Sequence, residues 1–276
     1  MAKTVVDGFV AGLHRSPDFG FSQEFAEYRA YTPGDDLRHV DWNVFARTER
    51  AYLKRYRGET NTEVTILLDT SASMGFASAN VSKSEYSKFL AAALAYLAHL
   101  QRDSTGFIAF DEQVRGFVAP SSRQGQLMRL LHAVDRAALG QRTNFAAPFF
   151  QLQQLVKRRG ISILISDFYE RADTILRTLA PLRARGHELI LFHVLDPQEL
   201  EPKFGGSLML IDMETDDTLE VTPDYARKEY RSKMATHLDD LKMKSEAAGI
   251  DYFLLRTDRP LDEALRDYFY IRHRRN

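Results

Sequence analysis

Asp69, Ser71 and Ser73 alternate in the stretch Asp69-Thr70-Ser71-Ala72-Ser73, directly after the apolar run Val64 to Leu68. In an extended loop that spacing turns their oxygens to one side. Thr143, within Gly140-Gln141-Arg142-Thr143-Asn144, and Asp167, just past Ile161 to Ile165, bring further oxygens to comparable places in the chain. Carboxylates and hydroxyls without nitrogen or sulfur are the donors of a hard cation, and Mg²⁺ in particular accepts a few side chains while keeping water. Asp69, Ser71, Ser73, Thr143 and Asp167 thus predict a divalent-cation site, for Mg²⁺ first, with Mn²⁺ or Ca²⁺ as alternatives. The plainer reading is that these residues cap helices and close turns.

These residues need strand ends to hold them. Val64 to Leu68, Gly106 to Phe110, Ile161 to Ile165 and Glu188 to Leu195 read as buried strands, and Val114 to Ala119 as an edge strand. Helices are expected at Ser82 to Gln101, Ser122 to Ala138, Ala146 to Arg159 with Gly160 closing it, and Asp173 to Arg185 closed by Gly186. Strands alternating with helices imply an α/β fold, a doubly wound and mostly parallel sheet with helices on both faces. Open sheets of that kind bind ligands at the carboxyl ends of their strands. The rhythm breaks between 196 and 222, where Leu208 to Ile211 and Leu219 to Val221 predict an inserted hairpin. A long helix from Asp224 to Ala248, a strand at Tyr252 to Leu255 and a helix from Leu261 follow.

Residues 1–60 read differently, as an N-terminal segment packed on the 61–276 domain. Pro33-Gly34 is a turn signal. Asp35 or Asp36 is expected to cap a short helix through Leu37, Val40 and Phe45, with Tyr52 to Arg57 as a strand. Trp42, the one tryptophan, reads as a core anchor.

Composition narrows the function. Lys and Arg total 37 against 38 Asp and Glu, so no global field draws in nucleic acid or an anionic membrane. The absence of cysteine removes disulfides, thiolate metal sites and cysteine nucleophiles, and fits a reducing, cytoplasmic setting. No run approaches the roughly 20 apolar residues of a membrane span.

Asp-x-Ser-x-Ser with a later Thr and a later Asp resembles the metal-ion-dependent adhesion site of von Willebrand factor A-type domains. More specifically, the stretch from Arg29 through Tyr31, Pro33-Gly34-Asp35-Asp36 and Arg38 to Asp41-Trp42 is similar to the hallmark of domain-of-unknown-function family fifty-eight. Phe19-Gly20, Ala46-Arg47, Asp196-Pro197 with Glu199, Asp212 with Glu214, and Tyr230 agree with it. The resemblance implies an A-type fold and an adaptor that works with a MoxR-type AAA+ ATPase in protein remodelling or complex assembly. The ligand count points to a protein partner as well: Asp69 and Asp167 carry −2, which a divalent cation only neutralises, so an acidic residue of a partner can complete the metal's coordination.

The alternative is a serine hydrolase. Ser71-Ala72-Ser73-Met74-Gly75 sits between strand and helix like a nucleophile elbow, with Ser73 as nucleophile, but the first glycine is missing. His187, His193 and His237 are the candidate bases. A phosphatase built on Asp69 would want a carboxylate two residues on, where Ser71 stands, and no P-loop is present.

Overall fold

The computed structural model describes residues 25–32, 40–48, 50–56, 62–140, 146–156, 158–203, 206–211, 213, 218–263 and 265–266. They fall into two compact units, one within 11–61 and one from 62 onward. In the smaller unit β1 (Phe25–Ala30) and β2 (Tyr52–Tyr56) pair antiparallel, with α1 (Trp42–Thr48) between them in sequence. The expected caps Asp35 and Asp36 lie outside the described residues. Asp41 caps α1, accepting from the Val44 N–H at 3.3 Å. Trp42 is 57% exposed and meets Phe45 edge-on at 5.9 Å. Residues three apart share one face of a helix, and here that face is open, so Trp42 is not the core anchor its type suggested.

The larger unit follows the expected order closely. It runs β3 (Glu63–Asp69), α2 (Lys83–Leu100), β4 (Ser104–Phe110), β5 (Val114–Ser121), α3 (Gln126–Arg136), α4 (Ala146–Leu155), β6 (Gly160–Ser166), α5 (Ala172–Ala184) and β7 (Glu188–Leu195). The hairpin β8 (Leu208–Ile211) and β9 (Thr218–Val221), then α6 (Arg231–Ala247) and β10 (Asp251–Arg256), follow, and the expected helix from Leu261 shows in 261–263 and 265–266. Six strands form one sheet in the order β10-β7-β6-β3-β4-β5, parallel throughout except for β5 at the edge. The hairpin is a separate two-stranded sheet.

Side chains alternate across the sheet as a strand's period of two requires. Val64, Ile66 and Leu68, with Ile161, Ile163 and Ile165, join Leu90 and Leu94 of α2 and Leu130 of α3 in one core. Leu67, Leu164 and Leu191 point the other way, to Phe149 of α4, Leu179 of α5 and Leu241 of α6. Both faces are covered, so the central strands read as continuous apolar runs. Among the described residues no helix is long and apolar enough to cross a membrane.

The long helix starts at Pro223–Tyr225, as expected, and passes through a wider π turn over Ala226–Tyr230 before it runs regularly from Arg231. One boundary differs from expectation. The helix expected to reach Arg159 stops at Leu155, and Gly160 opens β6 rather than closing the helix. A Cβ at Gly160 would lie 2.0 Å from the Glu63 carbonyl oxygen, so this glycine serves the close approach of β6 to β3. A backbone carbonyl cannot swing aside. Gly160→Ala should therefore cost about 1–3 kcal/mol by overpacking and lower the thermal midpoint by several degrees. Gly206→Ala, where a Cβ would meet nothing within 4 Å, should leave the midpoint unchanged.

Candidate metal centre

β3 and β6 are neighbours at the middle of the sheet, and the chain leaves them in opposite directions, from β3 toward β4 and from β6 toward β7. Such a switch point opens a crevice at the carboxyl ends of the two strands. Asp69 is the last residue of β3, and Asp167 follows Ser166 at the end of β6. Both carboxylates are buried, with 1% exposure each.

Asp69 is held from two sides. The Ser71 N–H donates to its Oδ1 at 2.9 Å, and the Ser166 hydroxyl donates to its Oδ2 at 2.6 Å. Burial, and then the nearby Asp167 charge, push the Asp69 carboxyl up to about 7 against the pull of those hydrogen bonds. The Ser71 and Ser73 hydroxyls lie 3.1 Å apart, Ser71 at the entrance and Ser73 within a single 3-10 turn over Ala72–Gly75. Four of the five expected ligands thus converge on one end of the sheet. The fifth, Thr143, lies outside the described residues. The approach to its loop is fixed at Gly140, whose N–H donates to the Thr70 carbonyl at 2.6 Å. A Cβ there would come within 1.9 Å of Asp111 Oδ2, and Asp111 is itself tied to Arg115 at 2.7 Å.

The sequence reading missed Lys83. Its side chain is fully buried and its Nζ lies 2.7 Å from both Asp167 Oδ2 and Glu199 Oε1, with the Tyr169 ring centroid 5.0 Å away. Burial pulls the ammonium down, but the two carboxylates outweigh it and hold its pKa above the ordinary lysine value. Glu199 also accepts the Asp196 N–H at 2.9 Å, closing a capping box on the short turn Pro197–Leu200. Asp196 in turn accepts from the Ser78 N–H at 2.9 Å. The signal for Lys83 was available. Ser82-Lys83-Ser84-Glu85 is a capping box, which puts a lysine in the first helical turn, where the helix dipole disfavours a cation.

The donor set suits a hard dication. Asp69, Asp167 and Glu199 against Lys83 leave a formal charge of −2 around two buried carboxylates, with hydroxyls of Ser71 and Ser73 beside them. Among the described residues no three His, Asp or Glu side chains cluster as a metal site, and this arrangement needs none, since hydroxyls supply half of its donors. Among the described residues the three histidines proposed as bases hydrogen-bond partners other than Ser73. His193 Nδ1 is 2.7 Å from the Tyr252 hydroxyl, and burial followed by His237 pushes its pKa down to about 3. His237 Nε2 donates to the Phe168 carbonyl at 3.1 Å, and His187 lies next to Ser162 at the opposite end of β7.

A family model described as Protein of unknown function DUF58 matches residues 27–240. The chain belongs to the DUF58 family. An uncharacterised protein of Mycobacterium tuberculosis (strain ATCC 25618 / H37Rv) is 31% identical over 261 residues, which cover 93% of this chain and 82% of the relative. An uncharacterised protein of Mycobacterium avium is 34% identical over 134 residues, 48% of this chain and 78% of the relative. Of solved structures, the conserved hypothetical protein BatB from Bacteroides thetaiotaomicron aligns at 15% identity and a TM-score of 0.46, covering 75% of this chain and 98% of its own. An aerotolerance-related membrane protein from Bacteroides fragilis NCTC 9343 aligns at 16% identity and 0.47, covering 72% and 92%. The fold of the DUF58 chain rests on its own topology. Six strands with a single antiparallel edge and a central switch point make it von Willebrand factor A-like.

In this DUF58 chain the raised Asp69 carboxyl gives a pH signature. Its folded pKa of about 7 exceeds the unfolded value of about 3.9. The contribution is therefore fully present below about pH 4 and is lost as pH rises toward 7. After treatment with chelator, stability should fall over that window, and Asp69→Asn should remove that part of the slope. Unfolding midpoints of the two proteins from about pH 4 to pH 8 test it; parallel curves would contradict the assignment.

Proposed function

We propose that the protein is a cation-dependent protein-interaction module, an adaptor for a MoxR-type AAA+ ATPase engaged in protein remodelling or complex assembly. The observation that carries the reading is the convergence of buried Asp69 and Asp167 with the Ser71 and Ser73 hydroxyls at the switch point. A bound divalent ion would supply an electrophilic contact for one carboxylate of a partner. The chain's own residues hold that ion, with Asp69 and Asp167 as charged ligands and Ser71, Ser73 and Thr143 as neutral ones. Thr143 enters on the strength of the sequence alone.

The surroundings favour recognition of a protein. Leu139 and Met213 are exposed, and a Cβ on Gly75 would lie 2.8 Å from Leu139 Cδ1 and 3.5 Å from Met213 Cε. Tyr169, two residues beyond Asp167, is exposed as well. Contacts that surround a decisive pair and exclude water from it are how interfaces protect that pair. The hydrolase alternative gains less support. The hydrogen-bond partner of Ser73 Oγ among the described residues is Ser71 Oγ, and a hydroxyl is no base for a nucleophile. The partner class comes from the family resemblance.

Mg²⁺ at ten times its dissociation constant should stabilise the protein by about 1.4 kcal/mol, a rise of roughly 2–3 °C in midpoint. Asp69→Ala should abolish the rise. An equal rise in both proteins would place the ion elsewhere. Binding of the ATPase, titrated with and without chelator, tests the rest of the reading. It should weaken at least tenfold in chelator, and undiminished binding would remove the ion from the interface.

A further inference from the structure

We propose that Lys83 is a resident competitor for the ion. Its ammonium already occupies one oxygen of Asp167, so a divalent cation binds here against it, and the site accepts an anionic partner because of it. The inference rests on the cation reading of Asp69, Ser71, Ser73 and Asp167.

Lys83 is poorly explained as a structural residue of its own helix. It is the first residue of α2, at the end of the helix dipole that repels cations. It is nonetheless fully buried, and it spans two different strand-end loops, through Asp167 after β6 and Glu199 after β7. An ammonium is a compact point charge with three N–H donors, and two of these are committed at 2.7 Å. Asp167 Oδ2 is therefore taken. A dication must use the other oxygen and share the carboxylate with a positive neighbour, or draw the carboxylate away from Lys83. Either way the two cations oppose each other in a buried crevice, where salt screens little.

The charge count shows what this achieves. With Lys83, the three carboxylates and the ammonium sum to −2, and a dication brings the site to zero. Without Lys83 the loaded site would remain at −1 and repel a partner carboxylate. The lysine thus weakens the ion on its own and favours the ion together with an acidic partner. Binding of the two is then mutually reinforcing, and by linkage each strengthens the other by the same factor.

The test is calorimetric titration of Mn²⁺ into the full chain at fixed pH. Lys83→Gln keeps a hydrogen-bonding head and removes the charge. It should bind Mn²⁺ at least tenfold more tightly than wild type, about 1.4 kcal/mol. Should that variant fail to fold, Lys83→Met with Glu199→Gln removes the ammonium together with its second carboxylate and frees Asp167 at unchanged net charge; it should also bind more tightly. Asp69→Ala added to either background should abolish binding, which locates the ion. Equal or weaker binding in the variant that folds overturns the competitor role and leaves the cation reading standing. Asp69-dependent binding in the variants but none in wild type supports the competitor role and overturns the cation reading for the natural chain. No binding in any protein overturns both.

Discussion

Two buried carboxylates held side by side repel each other, and the arrangement around the switch point is organised by that repulsion. Removing an ionised carboxylate from water is expensive unless hydrogen bonds or an opposite charge replace the hydration. Asp69 receives hydrogen bonds, from the Ser71 backbone and the Ser166 hydroxyl. Asp167 receives a charge, from Lys83. The two solutions differ in consequence. Burial and the neighbouring Asp167 outweigh the hydrogen bonds and leave the Asp69 carboxyl well above the usual range, whereas Asp167 has an opposite charge in direct contact at 2.7 Å.

The backbone shows what this costs. Phe168 follows Asp167 with φ at 47°, in the left-handed region that side chains other than glycine rarely adopt. It persists because its surroundings determine it. The Phe168 N–H donates to Ser166 Oγ at 3.0 Å, its carbonyl accepts from His237, and its ring meets His193 edge-on at 5.4 Å. Ser166 therefore serves two masters, donating to Asp69 and accepting from Phe168. Strain of this kind gathers at functional sites, and here it turns the chain so that Asp167 faces Lys83 while Tyr169 lies beside the same ammonium.

The fold was legible because the sheet is buried on both faces. Runs such as Glu188–Leu195 are recognisable without a partner, and the hairpin at Leu208–Ile211 and Thr218–Val221 was bounded by its acidic turn. Asp69, Ser71, Ser73 and Asp167 were legible for a related reason, since strand ends in an open sheet are predictable positions and oxygen ligands there have a definite chemistry. The contacts of Lys83, Ser166 and Glu199 were not, although Glu199 stands in the family motif. Each joins residues far apart in the chain, 116 positions for Lys83 and Glu199 and 97 for Ser166 and Asp69. Nothing local distinguishes them except the lysine in a helix's first turn. Trp42 and Gly160 failed for the opposite reason. Residue type suggested a core anchor and a helix cap, and tertiary context decided an exposed ring and a strand contact.

The insertion after β7 separates two demands that would conflict within the central sheet. The charged centre is held by residues that burial and hydrogen bonding fix in place, so its geometry tolerates little change. Recognition of a protein needs exposed apolar surface, which the ends of buried strands do not offer. The hairpin pairs only with itself among the described strands, and its exposed residues Met209 and Ile211 stand two apart on one side of β8. Met213 extends that row toward Leu139 and Gly75. Apolar surface is thus delivered to the edge of the polar crevice by a segment outside the sheet's hydrogen-bond ladder. Under the proposed function its side chains would meet a partner's shape while Asp69, Asp167 and Lys83 meet its charge.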